Sequence, residues 1–337
     1  MKNVIANTLT LFVVLAAACS GATPVIFDSD LGNDVDDALA LAMLHTLTDR
    51  GECKLIGVTL TNANPAAVPY VRMFNRFYGR EALPVGAAIR RLPKGSDDNY
   101  LTSALRSAPA QFKRKEDASA EPAVRVLRRL LVGSREKVII VQVGFSSNLA
   151  ALLDSKPDDI APLDGIALIR EKVALLSAMA GNFAGGKREY NVFTDAPAAR
   201  HLLERWPVPI VFSGFEIGLN LKYPATSIEK DFNYTEWHPV VASYRAFGKM
   251  PYDRPTWDLT SVLYAVRSGH GYFSLSENGT ARVDASDLTP FTTRTDGRHC
   301  YLLLELAQRA RALEALTMLT SQPPRCGTGL GDTKGVR

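Results

Sequence analysis

The chain has 337 residues, of which 46% are hydrophobic and 22% are charged, as in an ordinary globular protein. Its formal net charge of +4 is too small to indicate a nucleic-acid-binding protein. This length accommodates one large α/β domain or two smaller ones.

The N-terminal residues 1–20 are predicted to be a signal peptide. Lys2 gives a basic start, and the apolar stretch from Leu9 to Ala18 is too short to span a bilayer and leads into small residues. Ordinary signal peptidase could cut near Ala18, but the same residues are similar to a bacterial lipoprotein site with Cys19 as the lipidated residue. We therefore expect an exported protein, either periplasmic or lipid-anchored at the envelope, and both alternatives stay open.

A turn rich in aspartate follows the first predicted strand, Val25–Phe27. After this turn, the run from Ala38 to Leu44 has high helix propensity. In an open α/β sheet, such a turn lies at the carboxyl edge of the strands, where ligands bind. Because like charges repel, a hard cation such as calcium or magnesium would stabilise so many carboxylates at one place. The aspartates of the turn are Asp28, Asp30, Asp34, Asp36 and Asp37.

Strands and helices then alternate as far as residue 212, which predicts an open, mostly parallel sheet with helices on both faces. Residues 90–117 are polar and are predicted to form a long loop, a candidate lid beside the site. Further strands are predicted at 54–61, 84–87, 138–143, 173–179 and 208–212, and helices at 66–78, 121–131, 148–153 and 197–205.

The C-terminal third contains fewer regular signals. We expect a helix from Leu259 to Val266, a hairpin turning at Glu277–Gly279, and a long helix from Tyr301 to Leu319. The tail, residues 321–337, is predicted to be disordered. In an exported protein, Cys300 and Cys326 could form a disulfide, which sequence alone does not establish.

The segment Asp28-Ser-Asp30-Leu-Gly32, followed by Asp36-Asp37, resembles the signature of the inosine-uridine preferring nucleoside hydrolases. Here Leu31 replaces the usual proline, and two further residues precede the paired aspartates. The resemblance extends over residues 24–320 and implies a Rossmann-like nucleoside hydrolase fold. It also implies a homo-oligomeric, calcium-dependent enzyme that cleaves the N-glycosidic bond of ribonucleosides to give ribose and free base.

Other segments resemble the motifs of the same family in the same order. They are Val143–Asn148 at a strand end, Glu189–Asn191, Trp257–Asp258 and Asn64. The resemblance implies that calcium is held by Asp30, Asp37, the Val143 carbonyl and Asp258. It implies that the nucleoside is bound by Asp36, Asn64, Glu189 and Asn191.

Asp30 is the expected general base, acting on a water that the calcium ion holds. Asp28 is expected to orient Asp30 or the turn rather than to touch the substrate. The leaving-group acid is open, because Trp257 stands where several family members have a histidine. His238, Tyr234 and Tyr244 are the possible substitutes.

Two other functions fit parts of the pattern. Asp28 and Asp30 after an apolar strand resemble the nucleophile motif of a haloacid-dehalogenase-like phosphatase, with Asp28 as nucleophile and magnesium as cofactor. Gly32 stands where that family expects threonine or valine. A non-catalytic exported nucleoside- or ribose-binding protein would explain Trp257, although binding alone needs no base such as Asp30.

Overall fold

The computed structural model describes residues 22–88, 90–92, 97–114 and 119–325. The predicted signal peptide with Cys19, and Cys326 in the tail, lie outside these ranges. Among the helices of these ranges, none combines the length and apolarity that a membrane crossing requires.

The core of the fold is a ten-stranded sheet. Its strands are β1 (Thr23–Ser29), β2 (Cys53–Leu60), β3 (Val85–Gly86), β4 (Val138–Gln142), β5 (Val173–Met179), β6 (Ile210–Ser213), β9 (Ser274–Leu275), β10 (Gly279–Ala281), β11 (Phe291–Thr293) and β12 (His299–Leu303). They lie in the order β11-β10-β12-β6-β5-β4-β1-β2-β3, with β9 also paired to β12. Neighbouring strands from β3 to β12 run parallel, and β9, β10 and β11 are antiparallel additions at the far edge. A separate two-stranded ribbon pairs β7 (Lys222–Tyr223) with β8 (Arg254–Pro255).

Helices cover both faces of the sheet, which confirms the predicted fold class. Successive side chains of β1 point to opposite faces, so Val25 and Phe27 join one apolar core while Ile26 joins the other. The helices are α1 (Asp36–Asp49), α2 (Ala67–Phe77), α3 (Leu101–Ser107), α4 (Ala123–Gly133), α5 (Ser147–Asp154), α6 (Gly165–Lys172), α7 (Tyr190–Thr194), α8 (Ala196–Arg205), α9 (Phe215–Leu219), α10 (Ala225–Lys230), α11 (Pro239–Phe247), α12 (Trp257–Arg267) and α13 (Leu306–Ser321).

The strand order reverses between β1 and β4, which are neighbours although β2 and β3 separate them in the chain. At such a switch point the connections leave in opposite directions and open a crevice at the carboxyl ends of the strands. Helix α1 begins directly after this crevice and is buried on every side from Asp36 to Leu47. The fold therefore places the aspartate turn at the centre of the sheet edge.

The structure corrects the predicted loop at 90–117. Its described part contains α3 and a 3-10 helix at Ala110–Phe112. Next to α3, Tyr100 Oη accepts a 2.9 Å hydrogen bond from the Gly32 amide, and the Asn99 amide donates to the Gly32 carbonyl. This segment is therefore docked on the aspartate turn.

One prediction for the C-terminal third is wrong, and another is wrong only in where its helix begins. Strands β9 and β10, which flank residues 276–278, do not pair with each other, because β9 pairs with β12 and β10 pairs with β11 and β12. Tyr301 belongs to β12, whose parallel pairing with β6 overrides the helical pattern, and α13 begins at Leu306. The predicted Cys300–Cys326 disulfide stays a prediction, because Cys326 lies outside the described residues.

Candidate active site

A cavity of about 250 Å³ opens at the carboxyl ends of β1 and β4. It contains most of the side chains that the sequence analysis selected. The lining residues are Asp30, Asn33, Asp34, Asp36, Asp37, Val143, Met179, Glu189, Tyr190, Asn191, Phe215, Trp257 and Asp258.

Three buried carboxylates form the most compact group in this cavity. Asp36 and Asp37 lie in the first turn of α1 and Asp258 in the first turn of α12, and one oxygen from each lies within 4.8 Å of the others. Burial, and then repulsion from neighbouring aspartates that include Asp30 and Asp34, raises the pKa of all three well above the usual range. Buried oxygen ligands of this kind fit a hard divalent cation, whose charge would relieve both effects.

Asp30 faces the same cavity from the end of β1 and is only 4% exposed. Its Oδ2 has no hydrogen-bond partner within the part of the chain that the structure describes. Burial raises the pKa of Asp30, and the nearby Asp34 and Glu189 raise it further. An unpartnered oxygen at this position is free to contact a ligand, which fits either a metal contact or a base.

Asp28 lies behind the site and is fully buried. Its Oδ1 accepts hydrogen bonds from Thr59 Oγ1 at 2.6 Å and Asn148 Nδ2 at 2.8 Å, and burial raises its pKa to about 7. Asp28 is not among the described residues that line the cavity, so the structure gives no support for it as a phosphatase nucleophile. These contacts join Asp28 to β2 and α5 rather than to Asp30 or the turn, so the predicted orienting role stays a prediction.

Asn191 connects two strand ends beside the cavity. Its Nδ2 donates to the Val143 carbonyl at 2.9 Å and to the Met179 carbonyl at 3.1 Å. The Val143 carbonyl retains a second lone pair that a cation could use. Asn191 therefore positions the carbonyl for which the resemblance predicts metal binding.

Glu189 precedes α7 and accepts hydrogen bonds from three backbone amides. Its Oε1 accepts from Asn191 at 2.8 Å, and its Oε2 accepts from Gly181 and Val192, each at 3.1 Å. Burial raises its pKa to about 7 although these bonds favour the charged form. Glu189 thus holds α7 in place in addition to facing the cavity.

Asn64 is not among the described residues that line the cavity. Its Oδ1 accepts a 2.8 Å hydrogen bond from the backbone N–H of Ala66, and the backbone N–H of Asn64 donates to Asn62 Oδ1. Asn62 lies nearer the aspartate turn, where its Nδ2 donates to the Leu31 carbonyl at 2.8 Å. Substrate contact by Asn64 therefore stays a prediction.

Trp257 and Phe215 form an aromatic wall on one side of the cavity. Their rings stack with centroids 5.5 Å apart and an interplanar angle of 24°, and Trp257 Nε1 donates to the Phe215 carbonyl at 2.9 Å. The indole N–H is thus already used. The wall offers a flat apolar surface.

His238, a predicted substitute for the leaving-group acid, is absent from the described residues that line the cavity. Its Nδ1 accepts from the Val240 amide as an N-terminal cap of α11, and its Nε2 lies 3.3 Å from Tyr78 Oη. Burial lowers its pKa well below the usual range, so the ring is neutral. The cavity-lining residues that are described do not include Tyr234 or Tyr244 either, so the structure supports none of these three as the acid.

The arrangement differs in part from the predicted roles. The compact carboxylate group includes Asp36, which was predicted to bind the sugar, and does not include Asp30, which was predicted to bind the metal. Sequence reasoning also missed Phe215 and Arg254, whose Nε donates to Asp34 Oδ1 at 2.9 Å. Phe215 could have been found from its position just after the end of β6. No signal in the sequence indicates Arg254, because its partner lies far away in the chain.

Comparisons with known proteins agree with the geometry. The sequence model of the family described as "Inosine-uridine preferring nucleoside hydrolase" matches residues 25–310. The pyrimidine-specific ribonucleoside hydrolase RihA of Salmonella enteritidis is 28% identical over 219 residues, covering 62% of this chain and 65% of its own length.

Solved structures show the same fold. The inosine-uridine preferring nucleoside hydrolase from Bacillus anthracis gives a TM-score of 0.67 at 18% identity, over 89% of this chain and 99% of that one. The purine-preferring ribonucleoside hydrolase from Gardnerella vaginalis gives 0.67 at 17% identity, over 89% and 98%.

Proposed function

The chain belongs to the inosine-uridine preferring nucleoside hydrolase family, and on that premise we propose that it hydrolyses the N-glycosidic bond of ribonucleosides to ribose and free base. The observation that carries the proposal is the cavity at the β1–β4 switch point, where Asp36, Asp37 and Asp258 cluster beside Asp30. Burying several carboxylates together is costly, so a protein without this chemistry would gain nothing from such a group.

We propose calcium as the cation of this site, held by Asp37, Asp258, the Val143 carbonyl and Asp30. Calcium takes six to eight oxygen ligands in flexible geometry, which suits a set of carboxylates and one carbonyl. When bound, the ion supplies positive charge beside the sugar hydroxyls and the attacking water. Asp36 lies close enough to the other carboxylates to share this task.

Asp30 is the proposed general base, because it lines the cavity and its buried Oδ2 has no partner in the described parts of the chain. General-base catalysis contributes typically about 10²–10⁴-fold to a rate. Asp36, Asn191 and Glu189 would hold the sugar hydroxyls, since all three line the same cavity. A nucleobase could lie on the aromatic wall of Trp257 and Phe215.

The test is the release of ribose from a panel of purine and pyrimidine ribonucleosides, with calcium and with a chelator. We expect release that needs the cation; RihA is named for pyrimidine ribonucleosides, so both base classes belong in the panel. Asp30→Asn should lower kcat at least a hundredfold, whereas Asp231→Asn, at an exposed position after α10, should leave it unchanged. Calcium-dependent ribose binding without turnover would instead favour the non-catalytic binding protein.

We also propose that the protein is exported by its residues 1–20 and forms homo-oligomers. The first point is supported by the basic start and short apolar stretch of this segment, the second by family resemblance alone. Mass spectrometry of the mature N-terminus would distinguish ordinary cleavage near Ala18 from a lipidated Cys19. Uncleaved protein in the cytoplasm would contradict export.

A further inference from the structure

Arg254 links the aspartate turn to the strand that precedes α12. Its Nε donates to Asp34 Oδ1 at 2.9 Å, and its Nη2 donates to Asp34 Oδ2. The pair is partly buried, with side-chain exposures of 29% for Arg254 and 19% for Asp34. A bidentate guanidinium–carboxylate pair fixes orientation as well as distance.

Two aromatic rings also contact the Arg254 guanidinium. Its central carbon lies 4.9 Å from the centroid of the Phe247 ring and 5.6 Å from that of the Trp257 ring. Cation–π contacts at these distances limit how the planar group can turn. Arg254 is thus held by its own strand, by Asp34 and by two rings.

The carboxylates of the site come from two distant segments that repel each other. Asp36 and Asp37 follow Asp34 at the start of α1, and Asp258 follows Arg254 at the start of α12. Between these segments, Asp36 Oδ2 also accepts a 3.1 Å hydrogen bond from the Asp258 amide. The Arg254–Asp34 pair is a second link, and it is a link between opposite charges.

We propose that Arg254 is a positioning residue that, through Asp34, clamps the aspartate turn against the start of α12 and so sets the cation-binding geometry. The inference rests on the proposed function, because it assigns the clamp to the cation site. It concerns the longer turn of this chain, since Asp34 lies between Gly32 and the paired aspartates. Arg254 would act without touching either the cation or the sugar.

A simple charge effect predicts the opposite result, which makes the proposal testable. Removing a positive charge near carboxylates should strengthen cation binding if Arg254 acts only through its field. Removing a clamp should weaken binding, because residues that orient metal ligands typically contribute about 10–100-fold to metal affinity. The sign of the change therefore separates the two explanations.

The experiment is calorimetric titration of the whole protein with calcium. The variants are Arg254→Gln, Arg254→Lys, Asp34→Asn and the double variant Asp34→Asn/Arg254→Gln. We expect Arg254→Gln to weaken binding by about tenfold or more, and Arg254→Lys to weaken it less but measurably, because lysine keeps the charge and loses the fork. The double variant should bind calcium no more weakly than whichever single variant, Arg254→Gln or Asp34→Asn, has the lower calcium affinity.

Arg267→Gln is the matched control. Arg267 lies at the other end of α12 and forms its own bidentate pair with Glu52, at 2.6 and 2.7 Å. Its loss should leave the calcium affinity within about twofold of wild type, as expected for a distant independent site. Unfolding in chelator shows whether each variant folds, and if Arg254→Gln does not, Arg254→Lys carries the test, because lysine keeps the positive charge and loses the bidentate contact.

Unchanged or tighter calcium binding by a folded Arg254 variant would overturn the clamp, while binding by the wild type would leave the proposed function intact. Weaker binding by Arg267→Gln of the same size would also overturn it, because a general loosening of α12 would then explain the effect. Absence of calcium binding by the wild type would overturn the metal site and the clamp together.

Discussion

Replacing Glu189 with glutamine tests whether this residue holds the site together or only binds substrate. The carboxylate accepts one backbone bond at Oε1 and two at Oε2, and it is 3% exposed. Glutamine has one acceptor oxygen, so it can keep the Gly181 and Val192 bonds only by turning its NH₂ group towards the Asn191 amide. One buried donor is then unpaired, which destabilises a protein by about 1–3 kcal/mol.

Because burial raises the pKa of Glu189 to about 7, its charge opposes folding at pH 8, and glutamine removes that cost. The comparison is therefore made near pH 4.5, where the side chain is protonated in the folded protein. There we expect Glu189→Gln to lower the free energy of unfolding by about 1–3 kcal/mol, from the unpaired donor, and to lower it by less at pH 8.

Urea unfolding in chelator, without substrate, measures this loss. Glu229→Gln removes an exposed glutamate from α10 and should change stability by less than about 0.5 kcal/mol. If Glu189 only binds the sugar, its replacement would raise KM and leave unfolding unchanged. A loss no larger than that of the control would refute the structural role.

Two further predictions concern the aspartate turn and the residue behind it. Gly32→Ala should destabilise the fold by about 2–5 kcal/mol, because its φ is +117° and a Cβ would lie 2.6 Å from both Asn62 Nδ2 and Leu101 Cδ1. Gly51→Ala, at φ +74° with open space, isolates the conformational part, so equal losses in urea unfolding would refute the crowding argument. Burial raises the pKa of Asp28 to about 7, so the folded protein binds more protons than the unfolded chain between about pH 4 and pH 7. Stability should therefore fall by up to about 4 kcal/mol as pH rises through this window, and by less in Asp28→Asn; parallel pH profiles would contradict this.

The sequence was sufficient for the central part of the fold because its local and tertiary signals agree there. The apolar run of β1, Gly32 in a left-handed turn and the helix-forming residues after Asp37 all favour the same strand–turn–helix unit. Parallel order then brings the ends of β1, β4 and β5 to one edge. Strand order is consistent with one site for Asp30, Val143 and Asn191, but the resemblance to the family motifs is what assigned Val143 and Asn191 to it.

The errors lie where tertiary pairing decides. An Asn-Gly pair typically predicts a tight hairpin, but Asn278 and Gly279 connect two strands that pair with β12 rather than with each other. Tyr301 has helical spacing relative to the residues that follow, yet its strand pairs with β6. Local propensity is a weak prior, and pairing within the sheet overrides it.

The roles of individual carboxylates were harder to predict than their presence. Asp36 and Asp37 are adjacent on α1, and a helix turns by about 100° between neighbours, yet both contribute an oxygen to the group with Asp258. Sequence order contains no information about Arg254, because it meets Asp34 only after the chain has returned along the sheet edge. Contacts of this kind follow from topology.

The group of buried carboxylates also limits the pH range over which the fold is stable without a cation. Burial raises the pKa of Asp36, Asp37 and Asp258 together, so ionising them without a cation opposes folding. A ligand that binds only the folded state stabilises it by mass action. The apolar strands β1 and β4 fix the position of the crevice, and the carboxylates that repel each other lie in the first turns of α1 and α12. On this argument the cation is part of the stability of the site, and a clamp whose loss weakens calcium binding must stabilise the cation-bound site more than the empty one.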